Sequence, residues 1–297
     1  MTKFRIGRHI STGYGILTAP GYAKRIGCNI FQIFLGFPQQ IISKAKPPEV
    51  LAKLGEELAK NRVKMVVHGS YTINLCHPAT NKLFKTSVKS LVQDLNSSAV
   101  IGKKCLGVIV HMGKNISANK LSEQEAIKNY IAGLKIALKQ TPENTTIILE
   151  TGASQGTEVA SEIEGLVEIY WGLDEAERLR VKFCIDTCHI WASNYDISTP
   201  KGVNAFFNKF NEQIGIDKIA CIHFNDSKTV LGSHVDRHAD IGYGYIGDAG
   251  LKAVAKYAKK NKLPLICETP LDSVKTSTNS DITVEDELEK INSWLKN

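Results

Sequence analysis

Six apolar runs of this 297-residue sequence each end on a histidine or a carboxylate. An unpaired charge buried at the end of a strand costs several kcal/mol, so the repetition indicates that the strand ends meet at one polar site. Histidine, aspartate and glutamate are ligands of divalent metals, and the pattern therefore predicts metal chemistry. Successive endings are 36 to 45 residues apart, and they are His68, His111, Glu150, Asp186, His223 and Glu268.

Three further residues of the same types enlarge this candidate site. His189 lies three positions after Asp186, so a turn after the strand can direct both toward one place. The alternative is that Asp186 is the N-cap of the next helix and that His189 is an unrelated surface histidine. Asp236 and His238 are two positions apart and would point the same way in an extended segment. Arg237 between them would point elsewhere, toward a phosphate or a structural carboxylate.

The size of the set indicates more than one metal. Five histidines and four carboxylates exceed what one four-coordinate zinc can use, but they suit two or three metals if one carboxylate bridges. Closely spaced metals serve phosphoester hydrolysis by generating hydroxide at neutral pH and by stabilising the leaving oxygen. The glycines of residues 240–247 predict a tight loop whose backbone approaches another group closely.

The elements that must position these residues alternate between strand and helix. Two more strands are predicted at residues 4–9 and 29–35. Runs of consecutive apolar residues imply strands buried on both faces, as in a parallel sheet covered by helices. Helical patterns cover residues 20–27, 47–62, 81–102, 121–140, 157–170, 201–214, 248–260 and 282–295.

Eight strand–helix units predict an α/β fold, namely a (β/α)₈ TIM barrel that forms a single domain over residues 1–297. The active site of such a barrel lies at the C-terminal ends of its strands, where the six ionisable residues fall. The alternative is a doubly wound open sheet, which would bind ligands at one switch point instead of around the whole rim.

The composition limits the classes of binding partner and the cellular compartment that fit this protein. The net charge of +7 fits either a solvated lysine-rich surface or a polyanionic partner such as nucleic acid. Seven cysteines without a CxxC pair or a secretory signal indicate a reducing, intracellular compartment, and no apolar stretch is long enough for a membrane span. The excess of lysine over arginine suits an AT-rich genome. We therefore expect a soluble protein, either cytoplasmic in a bacterium or encoded and packaged by a virus.

Three motifs of this chain, in the order in which that family has them, resemble the endonuclease IV family. Its members are the metal-dependent apurinic/apyrimidinic (AP) endonucleases of base excision repair. The resemblance extends over residues 7–268, nearly the whole chain. It implies a (β/α)₈ barrel that holds three zinc ions, with manganese as an alternative at one site. The motifs are HGSYTINL from His68, CIDTCH from Cys184, and HFNDSK from His223 followed by Asp236-Arg237-His238.

The resemblance also implies roles for the nine residues. Glu150 is the catalytic residue and bridges two zincs. The reaction cleaves the phosphodiester bond 5′ of an abasic sugar and leaves a 3′-hydroxyl and a 5′-deoxyribose phosphate, and trimming of blocked 3′ ends is a second activity. The three implied ligand groups are His68, His111 and Glu150; Glu150, Asp186, His223 and Glu268; and His189, Asp236 and His238.

The implied partner is double-stranded DNA that contains an abasic site, bound by a monomer. Tyr71 matches a family residue that enters the duplex beside the flipped-out nucleotide, where an aromatic ring replaces lost base stacking. Its alternative role is to pack at the rim of the barrel. Gln39 stands where an arginine is common, so wedge insertion is assigned to Phe37 or Gln39, and Arg237 is the candidate phosphate contact.

Two other functions fit the same residues. A sugar isomerase or epimerase on this barrel also presents histidine and acidic ligands at strand ends, but it needs one or two metals and leaves the Asp236-Arg237-His238 cluster unexplained. A non-catalytic DNA-binding protein that has kept the barrel is the second alternative.

Overall fold

A computed structural model describes residues 4–116, 121–271 and 282–296. Eight parallel strands pair in chain order, and the last pairs with the first to close a barrel. The predicted TIM barrel is confirmed, and the doubly wound alternative is wrong because no edge of the sheet stays open. The barrel strands are β1 (Ile6–His9), β2 (Ile30–Phe34), β3 (Lys64–His68), β4 (Cys105–His111), β5 (Ile147–Glu150), β6 (Val181–Asp186), β7 (Ile219–His223) and β10 (Leu265–Cys267).

Helices cover the outside of the barrel. Seven of the eight predicted helices are confirmed to within two residues at each end. The structure adds two short helices, α6 and α7, and a hairpin of β8 (Asp226–Ser227) with β9 (His238–Ala239) that the sequence pattern does not reveal. The helices are α1 (Ala19–Arg25), α2 (Pro48–Asn61), α3 (Lys82–Ile101), α4 (Glu123–Lys139), α5 (Ile163–Trp171), α6 (Glu175–Arg178), α7 (Thr187–Ala192), α8 (Pro200–Gln213), α9 (Gly247–Asn261) and α10 (Val284–Trp294).

The helix predicted over residues 157–170 is wrong at its start, because α5 begins only at Ile163. Ser154 and Ala160 have positive φ values of 57° and 53°, in the left-handed region that a right-handed helix excludes. The preceding residues instead form a loop over the C-terminal end of β5. That loop carries Gln155, whose side-chain oxygen accepts a hydrogen bond from the backbone N–H of Asp236 at 2.9 Å.

The interior of the barrel is stacked in layers. One layer is a buried apolar cluster of Ile30, Val66, Ile109, Ile148, Cys184, Cys221 and Ile266. Side chains of a strand alternate between its two faces. The residue two positions after each member of this cluster therefore also points into the barrel. The next layer, which we call the strand-end layer, therefore consists of Gln32, His68, His111, Glu150, Asp186, His223 and Glu268.

The alternation explains why six apolar runs end in ionisable residues. Strand pairing keeps their ends level, since His111 pairs with Glu150 and Asp186 pairs with His223. Glu268 directly follows β10, which ends at Cys267. In the part of the chain that the structure describes, no helix has the length and apolar character needed to cross a membrane.

Candidate metal centre

The carboxylate of Glu150 lies at the centre of the strand-end layer and is 1% exposed. Its Oε2 lies 3.2 Å from Nε2 of His68 and 3.2 Å from Nε2 of His111. Its Oε1 lies 2.8 Å from Nδ1 of His223 and 3.6 Å from Nδ1 of His189. One carboxylate thus contacts histidines on both sides, which is the arrangement that a bridging ligand requires.

All nine candidate ligands fall into groups whose ligand atoms lie within 4.8 Å of one another. The described residues form four such groups, and three of them have the membership that the family resemblance implies. The fourth group joins Asp186 and His238 through Cys188, so it overlaps the second and third. The structure therefore brings the nine residues into one site, while their assignment as ligands stays a prediction. The three matching groups are His68, His111 and Glu150; Glu150, Asp186, His223 and Glu268; and His189, Asp236 and His238.

Three of the histidines present one ring nitrogen to this site and turn the other toward a backbone carbonyl. Nδ1 of His68 donates to the carbonyl of Gly69, and Nδ1 of His189 donates to the carbonyl of Thr151, both at 2.7 Å. Nδ1 of His238 has a backbone carbonyl at 3.3 Å. A backbone partner for one nitrogen fixes the tautomer and leaves the other nitrogen free for a metal.

The free nitrogens fit metal ions better than they fit one another. Nε2 of His68 and Nε2 of His111 face each other at 3.2 Å, so two lone pairs oppose unless a cation or a proton lies between them. Nε2 of His189 and Nε2 of His238 are buried and lie 3.3 Å and 3.2 Å from the carboxylate oxygens of Asp236, but neither makes a hydrogen bond of acceptable geometry. Imidazole with carboxylate is a donor set that suits zinc and manganese. These residues can therefore hold metal ions.

Buried opposite charges shift the protonation equilibria in the centre. Burial alone would raise the pKa of Glu150, but the charge of His223 and the hydrogen bonds from His223 and His68 hold that pKa well below its usual range. Burial alone would lower the pKa of His223, but Glu268 and Glu150 raise it well above the usual value. Glu150 is thus ionised at neutral pH, as a carboxylate that binds a metal must be.

The third ligand group shows the same balance. Against the effect of burial, Asp186 and Asp236 raise the pKa of His238 to about 9. His189 and His238 in turn lower the pKa of Asp236, which burial would raise.

His111, in the first ligand group, differs, because burial outweighs the charge of Glu150 and lowers the pKa of His111 to about 4. His111 is therefore neutral at pH 7 and its ring can act as a ligand without losing a proton.

Asp186 serves as both a helix cap and a site residue. Its Oδ1 accepts the backbone N–H of His189 at 3.0 Å and so caps α7. Its Oδ2 accepts the side-chain amide of Asn225 at 2.7 Å and faces the metal centre. The two interpretations of Asp186 from the sequence are therefore compatible. Asn225 is a buried neighbour whose role the spacing of acidic residues does not reveal.

Asp236 and His238 point the same way from an extended segment, as predicted, and their side chains lie 3.2 Å apart. Arg237 points elsewhere and donates from Nη1 to the carbonyl of Asp236 at 2.7 Å. The guanidinium is exposed. It can therefore contact a phosphate at the surface, and it pairs with no structural carboxylate among the described residues.

The centre opens into a cleft of ≈ 580 Å³ that is lined by His111, Glu150, His189 and Tyr71 among others. The phenol ring of Tyr71 is 51% exposed. Its backbone N–H donates to the carbonyl of Pro38 at 2.9 Å, which ties the predicted wedge segment to the rim. Phe37 in that segment is 68% exposed, and Gln39 is also exposed.

The ligand pattern overlooks Gln32 of the strand-end layer and its neighbour His9. Gln32 is fully buried inside β2, and His9 lies at the end of β1 beside it. The available signal was a glutamine in the middle of the otherwise apolar run Ile30–Phe34. A buried polar side chain needs a partner, so this glutamine indicates a polar neighbour inside the barrel.

Comparison with known proteins identifies the family. The profile described as xylose isomerase-like TIM barrel matches residues 20–297. A putative endonuclease 4 of Acanthamoeba polyphaga mimivirus is 63% identical over 98% of this chain and 94% of its own length. Apurinic-apyrimidinic endonuclease 1 of Saccharomyces cerevisiae is 32% identical over 92% of this chain and 73% of its own length. Endonuclease IV of Thermus thermophilus superposes with a TM-score of 0.77 at 27% identity, over 98% of this chain and 99% of that one. The chain belongs to the endonuclease IV family.

Proposed function

We propose that this protein is an AP endonuclease that hydrolyses the phosphodiester bond 5′ of abasic sites in double-stranded DNA. The products are a 3′-hydroxyl and a 5′-deoxyribose phosphate. The observation that carries the proposal is the set of nine histidines and carboxylates in three groups, two of which share Glu150. The mimivirus and yeast relatives are named for the same class of activity.

We propose three zinc ions as the cofactors, with manganese as an alternative at one site. The first group would share Glu150 with the second, and the third would use His189, Asp236 and His238. When bound, such ions lower the pKa of water and stabilise the charge on the leaving oxygen. Three dications against four carboxylates leave a net positive centre, which favours an anionic phosphate in the cleft.

The residues of the chain hold and orient the DNA around this centre. Tyr71 stands beside His68, and their rings contact edge to face with centroids 5.3 Å apart. An aromatic ring in that place can fill the gap left by an extruded abasic nucleotide. Lys114 on the cleft wall and the exposed Arg237 can pair with the phosphates on either side.

The proposal has a direct test. Purified protein is assayed on a duplex with one abasic site at a defined position, and bound metals are counted by mass spectrometry of the same sample. We expect a single nick 5′ of the lesion and three metals per chain. One metal per chain together with no nicking in the presence of zinc would overturn the proposal.

The sugar epimerase is the weaker alternative. Such an enzyme needs one or two metals and a base, which leaves Asp236 and His238 without a role. Turnover of a ketose by protein that does not act on abasic DNA would favour the epimerase.

Removal of His238 should empty one metal site. His238→Ala deletes one of three side chains in the third group and leaves the other two groups complete. We expect bound metal to fall from about three to about two ions per chain, and nicking to fall by about 100-fold, because one charge-stabilising cation is lost. His234→Ala is the matched control, since His234 is exposed and belongs to none of the groups. An unchanged metal count in His238→Ala would contradict the assignment.

Tyr71 should contribute to recognition of the lesion more than to the reaction. Tyr71→Ala removes the ring that would stack in the gap, and base–aromatic stacking contributes about 1–3 kcal/mol. We expect the Kd for abasic duplex to rise about 10-fold or more, with little change in the Kd for intact duplex. Tyr71→Phe keeps the ring and should bind like the unaltered protein. If both substitutions leave both Kd values unchanged, Tyr71 only packs at the rim.

Three finer points complete the proposal. Trimming of blocked 3′ ends uses the same phosphodiester chemistry, so the protein should also release 3′-phosphoglycolate from a nicked duplex. We propose that it acts as a monomer, since one chain supplies all nine candidate ligands. We also propose that the protein acts inside a cell or is packaged in a virus particle. The seven free cysteines support a reducing compartment.

A further inference from the structure

Gln32 lies in the strand-end layer and is fully buried. It occupies the middle of β2, where its neighbours along the strand are the buried Phe31 and Ile33. A primary amide in this place can offer one acceptor oxygen and two N–H donors. All of its hydrogen-bonding groups point to residues around the metal centre.

The first contact fixes a histidine. Oε1 of Gln32 accepts a hydrogen bond from Nε2 of His223 at 2.7 Å. Nε2 of His223 must therefore carry a proton, which leaves Nδ1 as the nitrogen available to a metal. That nitrogen lies 2.8 Å from Oε1 of Glu150 and 3.1 Å from Oε2 of Glu268, inside the second ligand group.

The second contact fixes a carboxylate. Nε2 of Gln32 donates to Oε1 of Glu268 at 2.6 Å, so the Oε2 atom of Glu268 is left to face His223. The same nitrogen lies 3.1 Å from Nδ1 of His9, which can accept its other proton. Burial lowers the pKa of His9 to about 4, so that ring is neutral at pH 7 and able to accept.

Only an amide satisfies these neighbours together. A carboxylate at position 32 would accept from His223 but would repel Glu268, and an apolar side chain would bond to neither. We infer that Gln32 is a positioning residue of the second metal site, because its amide selects the tautomer of His223 and the orientation of Glu268. The inference rests on the proposed metal-dependent function, and it adds a residue outside the nine candidate ligands.

Two substitutions separate the contacts. Gln32→Met keeps the length of the side chain and removes every hydrogen bond, whereas Gln32→Glu keeps the acceptor for His223 and removes the donor to Glu268. Gln93→Met is the matched control, because the amide of Gln93 in α3 donates to the backbone carbonyl of Ser43 and not to a candidate ligand.

The probe is zinc alone, added to full-length protein and competed with a chromophoric chelator. In Gln32→Met and Gln32→Glu we expect one of the bound zinc ions to dissociate about 10- to 100-fold more readily, as is typical when a partner of a metal ligand is lost. The other ions should be unaffected, and Gln93→Met should behave like the unaltered protein.

A spectroscopic readout distinguishes positioning from a general packing defect. Long-range ¹H–¹⁵N spectra report which nitrogen of each imidazole carries the proton. In zinc-loaded protein we expect the His223 tautomer to stay in Gln32→Glu and to be lost or mixed in Gln32→Met. Wild-type zinc affinity with an unchanged tautomer in Gln32→Met would overturn the inference. If Gln32→Met does not fold, undiminished zinc affinity in Gln32→Glu would overturn the inference.

Neither measurement uses DNA. A wild-type protein that fails to nick abasic duplex would refute the proposed function and leave the zinc and tautomer results to decide the role of Gln32.

Discussion

Glu150→Gln should reduce nicking of abasic duplex DNA by about 1000-fold or more while leaving DNA binding largely intact. The substitution keeps the shape of the side chain but replaces a shared anion with a neutral amide. Glu150 contacts His68 and His111 through one oxygen and His223 through the other. Loss of its charge therefore weakens metal binding by the two ligand groups that share Glu150. Several kcal/mol of transition-state stabilisation correspond to a rate loss of this size.

The retained binding follows from where the DNA contacts lie. Tyr71, Phe37 and Arg237 are on the rim and surface, whereas Glu150 is 1% exposed at the floor of the cleft. Single-turnover nicking on a gel and a fluorescence anisotropy titration on the same duplex measure the two properties separately. Glu56→Gln, on the exposed face of α2, is the matched control. A Glu150→Gln protein that nicks at more than one tenth of the normal rate would show that Glu150 is not the shared ligand.

The barrel and the strand-end layer could be predicted because both depend on short-range pattern. Buried parallel strands are apolar on consecutive positions. Ionisable residues at the ends of six such strands indicate that the strand ends meet at one polar site. The structure adds the geometric reason. Each residue of the strand-end layer follows a residue of the interior apolar cluster by two positions, as His68 follows Val66 and Glu150 follows Ile148.

Other features depend on contacts between distant segments, which periodicity does not encode. Gln32 and Glu268 are 236 positions apart and meet only when the barrel closes. The late start of α5 depends on left-handed residues such as Ala160, whose side chain gives no sequence signal for a positive φ. The glycine-rich loop at residues 240–247 was recognisable as a close approach, but the group that it approaches was not.

That group is the carboxylate of Asp226 in β8, and it accounts for Gly244. The oxygens of Asp226 accept backbone N–H groups of the loop, among them those of Gly244 and Ile246, both at 3.0 Å. A Cβ atom on Gly244 would lie 2.5 Å from Oδ1 of Asp226 and 2.3 Å from the carbonyl oxygen of Ser227. A side chain at position 244 would therefore clash with the carboxylate, and the predicted tight approach is confirmed.

Asp226→Ala should consequently lower the free energy of unfolding by about 3–5 kcal/mol, because several buried backbone N–H groups lose their acceptor at once. Because β8 pairs with β9, which carries His238, we also expect weaker binding of the metal in the third ligand group. Urea unfolding of metal-free protein measures the first effect and zinc competition the second. Asp217→Ala is the control, since the Asp217 side chain is 73% exposed beside Lys218, and an exposed pair contributes little. A loss below about 1 kcal/mol in Asp226→Ala would mean that water replaces the carboxylate and that the loop holds the third site without it.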